Sequence, residues 1–206
     1  MPIHQLSSVM IARRLSAVMA LVCAAGVAGA CDDPLALRAT TAVQSDTLVA
    51  FAMSGTPVSF PSAYNSSSGV VVRVDPFILF DVAFDLQGSG SIKLIPARLV
   101  SSTRQLGNGQ VAATQRVGLQ VMTGTFESVR KAPGGGYKYD STVTVTPGQT
   151  VVVEVASDAC QFSLAQLLYA KVVVDSVKAD SRQVFFRATR DPNCGFKSFA
   201  PGVPKD

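Results

Sequence analysis

Short runs of β-branched and aromatic residues, separated by Gly, Pro, Ser and Asn, make up the chain from Asp46 onward. The first kind of residue favours strands and the second kind favours turns. The pattern predicts strands at 47–53, 70–74, 78–86 and 91–95 in the first half. The stretch 61–69 is predicted to be a loop, because it ends in Asn65-Ser66-Ser67-Ser68-Gly69.

The second half alternates more clearly. Valines 151, 153 and 155 would share one face of a strand, and a similar alternation covers 117–122. Tyr137 and Tyr139 would share one face of another strand, after the Pro133-Gly134-Gly135-Gly136 turn. The segments 169–178 and 182–189 flank Ala179-Asp180-Ser181 and read as a hairpin.

Many short strands with turns between them predict an all-β fold, an antiparallel β-sandwich of Ig-like or related Greek-key type. One short helix is expected near 163–168, where the sequence is SLAQLL. A single domain over 46–206 is long enough to bury a sizeable core.

The N-terminal region has a different pattern. Arg13 and Arg14 precede an uncharged apolar run, 15–30, that ends in Ala28-Gly29-Ala30. A basic start, a short apolar run and an A-x-A ending are typical of a secretory signal peptide, here predicted over 1–30, with Met10 as an alternative start. The run is shorter than the roughly 20 residues that span a bilayer as a helix.

Cysteine follows directly at position 31, and Ala28-Gly29-Ala30-Cys31 resembles the lipobox of bacterial lipoproteins. The resemblance covers about twenty residues and implies that Cys31 is acylated and becomes the mature N-terminus. The family usually has Leu, Val or Ile where this chain has Ala28, which leaves ordinary signal-peptidase cleavage of a secreted protein open. The polar residues 31–45 would then form a tether between membrane and domain, or contribute in part an edge strand.

Acylation of Cys31 also accounts for the other cysteines. Cys23 is removed with the leader, so the mature chain keeps Cys31, Cys160 and Cys194. With Cys31 acylated, Cys160 and Cys194 are expected to form a disulfide in an oxidising compartment. A zinc site built from cysteine alone would want four thiolates, so no metal site is predicted.

The composition excludes several chemistries. The only histidine, His4, lies in the leader, so the mature chain has no Ser-His-Asp triad or zinc helix, and no nucleotide-binding motif is present. Carboxylates that could act without histidine are Asp75, Asp81, Asp85, Glu127, Asp140, Glu154, Asp158 and Asp175. Aromatic residues that could form a binding face, or simply pack in the core, are Tyr64, Tyr137, Tyr139, Phe196 and Phe199.

Charge gives little direction to the choice of partner. The mature chain has 16 basic and 14 acidic side chains, which is only weak evidence for nucleic acid or acidic lipid as partners, and no nucleic-acid partner is predicted. The sequence therefore predicts a membrane-anchored, exported lipoprotein without cofactor. It would act as a non-catalytic binding or accessory subunit of a cell-envelope complex, with an envelope protein as partner. The alternatives are a carboxylate-dependent hydrolase of envelope polysaccharide and a soluble secreted adhesion module.

Overall fold

The computed structural model describes residues 38–205, apart from 76, 89, 101–115, 140 and 164. The described part contains ten strands: β1 (Gln44–Phe51), β2 (Pro61–Asn65), β3 (Val70–Arg73), β4 (Val82–Gln87), β5 (Ser91–Pro96), β6 (Val117–Val121), β7 (Val143–Val145), β8 (Thr150–Ala156), β9 (Leu167–Lys178) and β10 (Gln183–Asp191). They form two five-stranded antiparallel sheets, in the orders β1-β10-β9-β8-β6 and β3-β2-β4-β5-β7. The predicted all-β antiparallel sandwich is confirmed.

Alternation along the strands produces the core between the two sheets. Buried residues of both sheets share one cluster that includes Phe84, Ile92 and Leu94 from one sheet and Val151, Val153, Val155, Val172 and Phe186 from the other. Phe186 lies 4.8 Å from Phe84 and 5.7 Å from Tyr64, measured between ring centroids. These large apolar side chains provide most of the area that folding removes from water.

A third layer covers part of the outer face of the β1-containing sheet. It consists of residues 122–139 and 196–199, called the covering layer below, and it buries Tyr137 and Phe199 against Val152 and Tyr169. Backbone bonds join its two parts, from Ala132 N–H to the Lys197 carbonyl at 2.8 Å. The second sheet also has an outer apolar cluster, which includes Phe80, Ile95 and Val100.

Close packing at the edge strand β6 requires a glycine. A Cβ at Gly118 would lie 2.5 Å from Cε1 of Tyr139 and 2.8 Å from Cβ of Tyr137. The strip 137–139 was predicted to be a strand, but it forms only an isolated bridge, between Lys138 and Leu119. The glycine leaves room for the side chains of Tyr137 and Tyr139 next to β6, while Lys138 pairs with Leu119 at the edge of the sheet.

The hairpin of β9 and β10 is the longest pairing, as the sequence predicted. The Cys160–Cys194 disulfide forms at its base, with the two Cα atoms 5.7 Å apart. Next to the bridge, Gly195 N–H donates to the Leu167 carbonyl at 2.8 Å. The bridge therefore fixes the connection before β9 to the chain that follows β10.

Two other segments differ from expectation. Residues 61–65 form β2, where a loop was predicted, because Ala63 and Tyr64 are fully buried and pair with β4. The described residues of 163–168 form no helix: Leu167 and Leu168 pair with β8 as the start of β9. A single 3₁₀ turn lies earlier, at Asp158–Cys160. Tertiary pairing with a neighbouring strand overrides local propensity in both cases.

The folded unit begins before β1. The backbone N–H groups of Thr40 and Thr41 donate to the Asn193 side chain at 2.9 and 3.0 Å, and Val43 pairs with Gly202. Residues 38–45, predicted as the end of the tether, therefore lie against the domain, and Gln44 and Ser45 belong to an edge strand. The predicted signal peptide, Cys31 and the first part of the tether lie outside the described residues.

Candidate binding cleft

Loops at one end of the sandwich form the walls of a cleft of about 270 Å³ that opens to solvent. Its lining is mostly polar and comes from connections of both sheets: Asn65, Ser67, Leu79, Arg116, Ala156, Ser157, Asp158, Ala159, Gln161 and Gln166. Loops on a rigid scaffold are the usual place for binding residues, because they can vary without disturbing the core. This cleft is the best-formed candidate site in the described part of the chain.

The β2–β3 turn forms one wall, and buried polar side chains hold it in place. Asp81 accepts hydrogen bonds from the backbone N–H of Ser66, at 2.6 Å, and from the Ser66 hydroxyl. The Asn65 side chain accepts from the Ser67 hydroxyl at 2.7 Å and donates to the Leu79 carbonyl at 2.9 Å. A turn fixed in this way loses little conformational entropy when a ligand binds.

The connection between β8 and β9 forms another wall. The Ser157 hydroxyl accepts from the Ala159 N–H at 3.3 Å, and the Ser157 N–H donates to the Gln166 carbonyl at 3.1 Å. The disulfide at Cys160 then holds this wall to Cys194. Both walls are therefore preorganised by contacts within the protein.

Two opposite charges line the cleft, on Arg116 and Asp158. Within the part of the chain that the structure describes, neither side chain forms an ion pair with the other or with any other charged side chain. The Arg116 guanidinium lies 3.9 Å from the centroid of the Tyr139 ring, a cation–π contact that restricts its position. The cleft therefore offers a polar ligand the guanidinium donors of Arg116, the carboxylate of Asp158 and several side-chain amides.

Apolar side chains are also exposed at this end of the domain. Leu79 lines the cleft and is 42% exposed, and Phe162 is 95% exposed, two residues after Cys160. Its place on the disulfide-held connection puts an exposed aromatic ring next to Gln161, which lines the cleft. It adds an apolar contact beside the polar cleft.

The predicted disulfide cysteines are thus joined, and Cys31, predicted to be acylated, lies outside the described residues. The aromatic residues considered as a binding face mostly pack inside: Tyr64, Tyr137, Phe196 and Phe199 are all buried. Tyr139 is half-buried, and its hydroxyl donates to Glu154 Oε1 at 2.5 Å.

The candidate carboxylates are dispersed. Asp75 pairs with Arg73 at 3.0 Å just after β3 ends, and Asp81 holds the β2–β3 turn. Asp85 accepts from the Ser54 hydroxyl at 2.5 Å. Asp158 lines the cleft, and Asp140 lies outside the described residues.

Glu127 and Asp175 are the two carboxylates that the fold brings together. Both bind one guanidinium, that of Arg187, at 2.7 and 2.9 Å, on an exposed surface. The hydrogen bond from Arg187 lowers the pKa of Glu127, whereas a glycosidase needs one carboxylic acid with a raised pKa. This pair does not fit the acid and base roles of such an enzyme.

Glu154 lies buried among tyrosines beneath the covering layer. Burial raises the pKa of Tyr137 and of Tyr169, and the nearby Glu154 carboxylate raises both further. Burial, and then the hydrogen bond to Glu154, also raises the pKa of Tyr139. These hydroxyls stay protonated at neutral pH. The Tyr139 hydroxyl ties the covering layer to the sheet by donating to Glu154 on β8, whereas the Tyr137 hydroxyl donates to the Pro133 carbonyl within the layer.

Lys171 is a buried cation that the sequence analysis did not single out. Its Nζ donates to the carbonyl of Val129 at 2.9 Å and to that of Phe126, and it lies 4.2 Å from the Phe126 ring centroid. Burial lowers the pKa of Lys171. A lysine within the run Ala170–Val174 was the available signal, because lysine is rarely buried without partners.

Arg116, Gln161 and Gln166 of the cleft also escaped sequence reasoning. Arg116 lies just before β6, whereas Gln161 and Gln166 lie in the connection between β8 and β9, and only the folded chain brings these two segments together. The described residues contain no group of three or more His, Cys, Asp or Glu side chains that could hold a metal ion. No helix in the described ranges is long and apolar enough to cross a membrane.

The fold and the cleft define a two-sheet antiparallel β-sandwich with a preorganised polar cleft at one end. Comparison of the chain with protein-family models, with curated proteins and with solved structures found no match.

Proposed function

We propose that this protein is an exported lipoprotein, anchored in a bacterial membrane through acylated Cys31. Its β-sandwich domain would be a non-catalytic binding or accessory subunit of a cell-envelope complex. The observation that carries the proposal is the Cys160–Cys194 disulfide. It uses two of the three mature cysteines, and the third follows the lipobox-like Ala28-Gly29-Ala30 directly.

The cleft supports a binding role. Its walls are fixed by Asp81, Asn65 and the disulfide before any ligand arrives, and preorganisation of this kind favours affinity. The charges of Arg116 and Asp158, which form no ion pair within the described residues, and the exposed Phe162 provide polar and apolar contacts to an envelope protein. An interface that combines an aromatic anchor with a guanidinium has the composition of a binding hot spot.

The intact mass of the mature protein, extracted from its native membrane, tests the anchor. We expect an N-terminal Cys31 that carries acyl chains, and a mass lower by two hydrogens for the disulfide. The Cys31→Ala variant should be released from the membrane fraction. A free, unmodified Cys31, or cleavage at another residue, would contradict the lipoprotein assignment.

Cross-linking in native membranes tests the binding role. A cross-linked species should form with the wild type and be lost in the Arg116→Gln/Asp158→Asn variant. The control variant, Lys93→Gln/Asp180→Asn, changes the same kinds of charge outside the cleft and should keep it. A protein that runs as a lone monomer in both cases would contradict an accessory role.

A further inference from the structure

Four exposed or half-exposed cations lie on the covering layer and define a basic face: Arg130, Lys131, Lys138 and Lys197. None of them forms an ion pair with a carboxylate among the residues that the structure describes. Glu127 is the only carboxylate within 122–139 and 196–199, and Arg187 already binds it. The covering layer therefore carries an unbalanced positive charge.

Tertiary pairing brings these cations together from distant parts of the chain. Lys131 pairs with Ser198 across an antiparallel bridge, and the Phe199 N–H donates to the Arg130 carbonyl at 2.8 Å. Lys197 therefore lies beside Arg130 and Lys131. Neither segment alone is a basic run.

Two neighbouring tyrosine rings lie between this group and Lys138. The Lys197 Nζ lies 5.3 Å from the Tyr169 ring centroid, and Tyr169 lies 6.5 Å from Tyr137, the residue before Lys138. The basic face thus extends over these rings toward β6. Residues 38–206 carry 16 basic and 12 acidic side chains, and the covering layer, with four basic and one acidic side chain, holds most of that positive excess.

The first described residues of the chain contact the C-terminal stretch that carries Lys197. Thr40 and Thr41 bind Asn193, and Val43 pairs with Gly202, so the two contacts lie on either side of Lys197 in the sequence. Cys31 precedes Arg38 by seven positions, and a chain of that length reaches at most about 25 Å. An acyl anchor at Cys31 would keep the basic face close to the bilayer.

We propose that the basic face docks on the anionic phospholipid headgroups of the membrane that anchors the protein. The position of the membrane rests on the lipoprotein function proposed above, whereas the charge asymmetry does not. Each Lys or Arg close to an anionic bilayer strengthens binding about fivefold, and the effect fades within a Debye length of roughly 10 Å. The acyl chains would hold the protein at the bilayer, and the basic face would set which side of the domain meets the headgroups.

Vesicle sedimentation of the unlipidated mature chain, Cys31→Ser, tests the face independently of the anchor. At low salt this protein should bind vesicles of phosphatidylcholine with phosphatidylglycerol, and bind vesicles of phosphatidylcholine alone much more weakly. Adding Arg130→Gln and Lys131→Gln should weaken binding to the anionic vesicles about 25-fold. Adding Lys93→Gln and Lys178→Gln removes the same charge elsewhere and should change binding less than about threefold.

Equal losses in the two double variants would overturn the proposal, because net charge alone would then account for binding. Equal binding to both kinds of vesicle would overturn it too. Binding to a soluble anionic polysaccharide such as heparin, without binding to the anionic vesicles, would also overturn it, because the ligand of the basic face would then be a polymer and not a lipid. An unacylated Cys31 in the mass measurement would contradict the lipoprotein function. The vesicle experiment would still test the basic face, because it uses the unlipidated Cys31→Ser chain.

Discussion

The Cys160–Cys194 bridge should contribute a large share of the stability of the domain. The cysteines are 34 positions apart, and closing a loop of that length in the unfolded chain stabilises the native state by about 4 kcal/mol on the chain-entropy account. Domains of this kind have unfolding free energies of roughly 5–15 kcal/mol. Loss of the bridge should therefore remove between a quarter and most of the total.

The perturbation is the double substitution Cys160→Ala/Cys194→Ala, made in the unlipidated Cys31→Ser chain. Urea unfolding followed by far-UV circular dichroism measures it, since the chain has no tryptophan for fluorescence. The midpoint should fall by the equivalent of about 4 kcal/mol, and the m value should rise because the unfolded chain becomes less compact.

The reduced parent protein is the matched control, because it keeps both sulfur atoms and lacks only the bond. Reduced parent and double variant should unfold at similar urea concentrations. A difference below about 1 kcal/mol between oxidised and reduced parent would refute the entropic reasoning. A double variant much less stable than the reduced parent would assign the effect to packing of the buried Cys160 instead.

Three further perturbations probe the covering layer. Gly118→Ala should destabilise the domain by about 1–3 kcal/mol, because its new Cβ would meet the ring of Tyr139, whereas Gly134→Ala, with open space around it, should change little. Lys171→Met removes the donor to two backbone carbonyls and should speed hydrogen exchange within 122–139. Burial raises the pKa of Tyr137 in the folded domain above its value in the unfolded chain. The stability that this tyrosine contributes is therefore complete below about pH 10 and should be lost progressively as the pH rises further.

Each of these has its own check. Equal denaturation midpoints for Gly118→Ala and its parent would contradict the close approach of the tyrosine strip. Unchanged exchange in Lys171→Met would show that other contacts hold the layer. Tyr137→Phe should flatten the loss of stability at alkaline pH, and an unchanged slope would show that Tyr137 ionises freely. Burial lowers the pKa of Lys171, so the unfolded chain holds this proton to a higher pH than the folded domain does. This group alone therefore raises the stability as the pH approaches 10.5, and comparison with Lys171→Met measures its share.

The second half of the sandwich was easier to predict than the first. Strand β8, Thr150–Ala156, and the β9–β10 hairpin are rich in β-branched and aromatic residues, with a compact turn between the hairpin strands. Strand β2 does not: Pro61–Asn65 contains one aromatic residue and no β-branched one. It is a strand because β3 and β4 pair with it, which no local pattern records.

The binding cleft shows the same limit. The sequence predicts a loop that ends in Asn65–Gly69 and marks Asp158 as a candidate carboxylate, but no local pattern connects the two. The cleft exists because the two sheets place their connections at one end. Its lining spans residues 65 to 166, and sequence spacing carries no information about such an arrangement.

The sequence by itself determined the sandwich class and the pairing of Cys160 with Cys194, because strand periodicity is local and cysteine numbers can be counted. It also predicts export and an anchor at Cys31. The tertiary structure decided which polar groups meet: Lys171 with the carbonyls of the covering layer, and Lys197 with Arg130 and Lys131. Charges distant in sequence become neighbours only when strands pair, so an almost neutral chain acquires a basic face that its composition does not show.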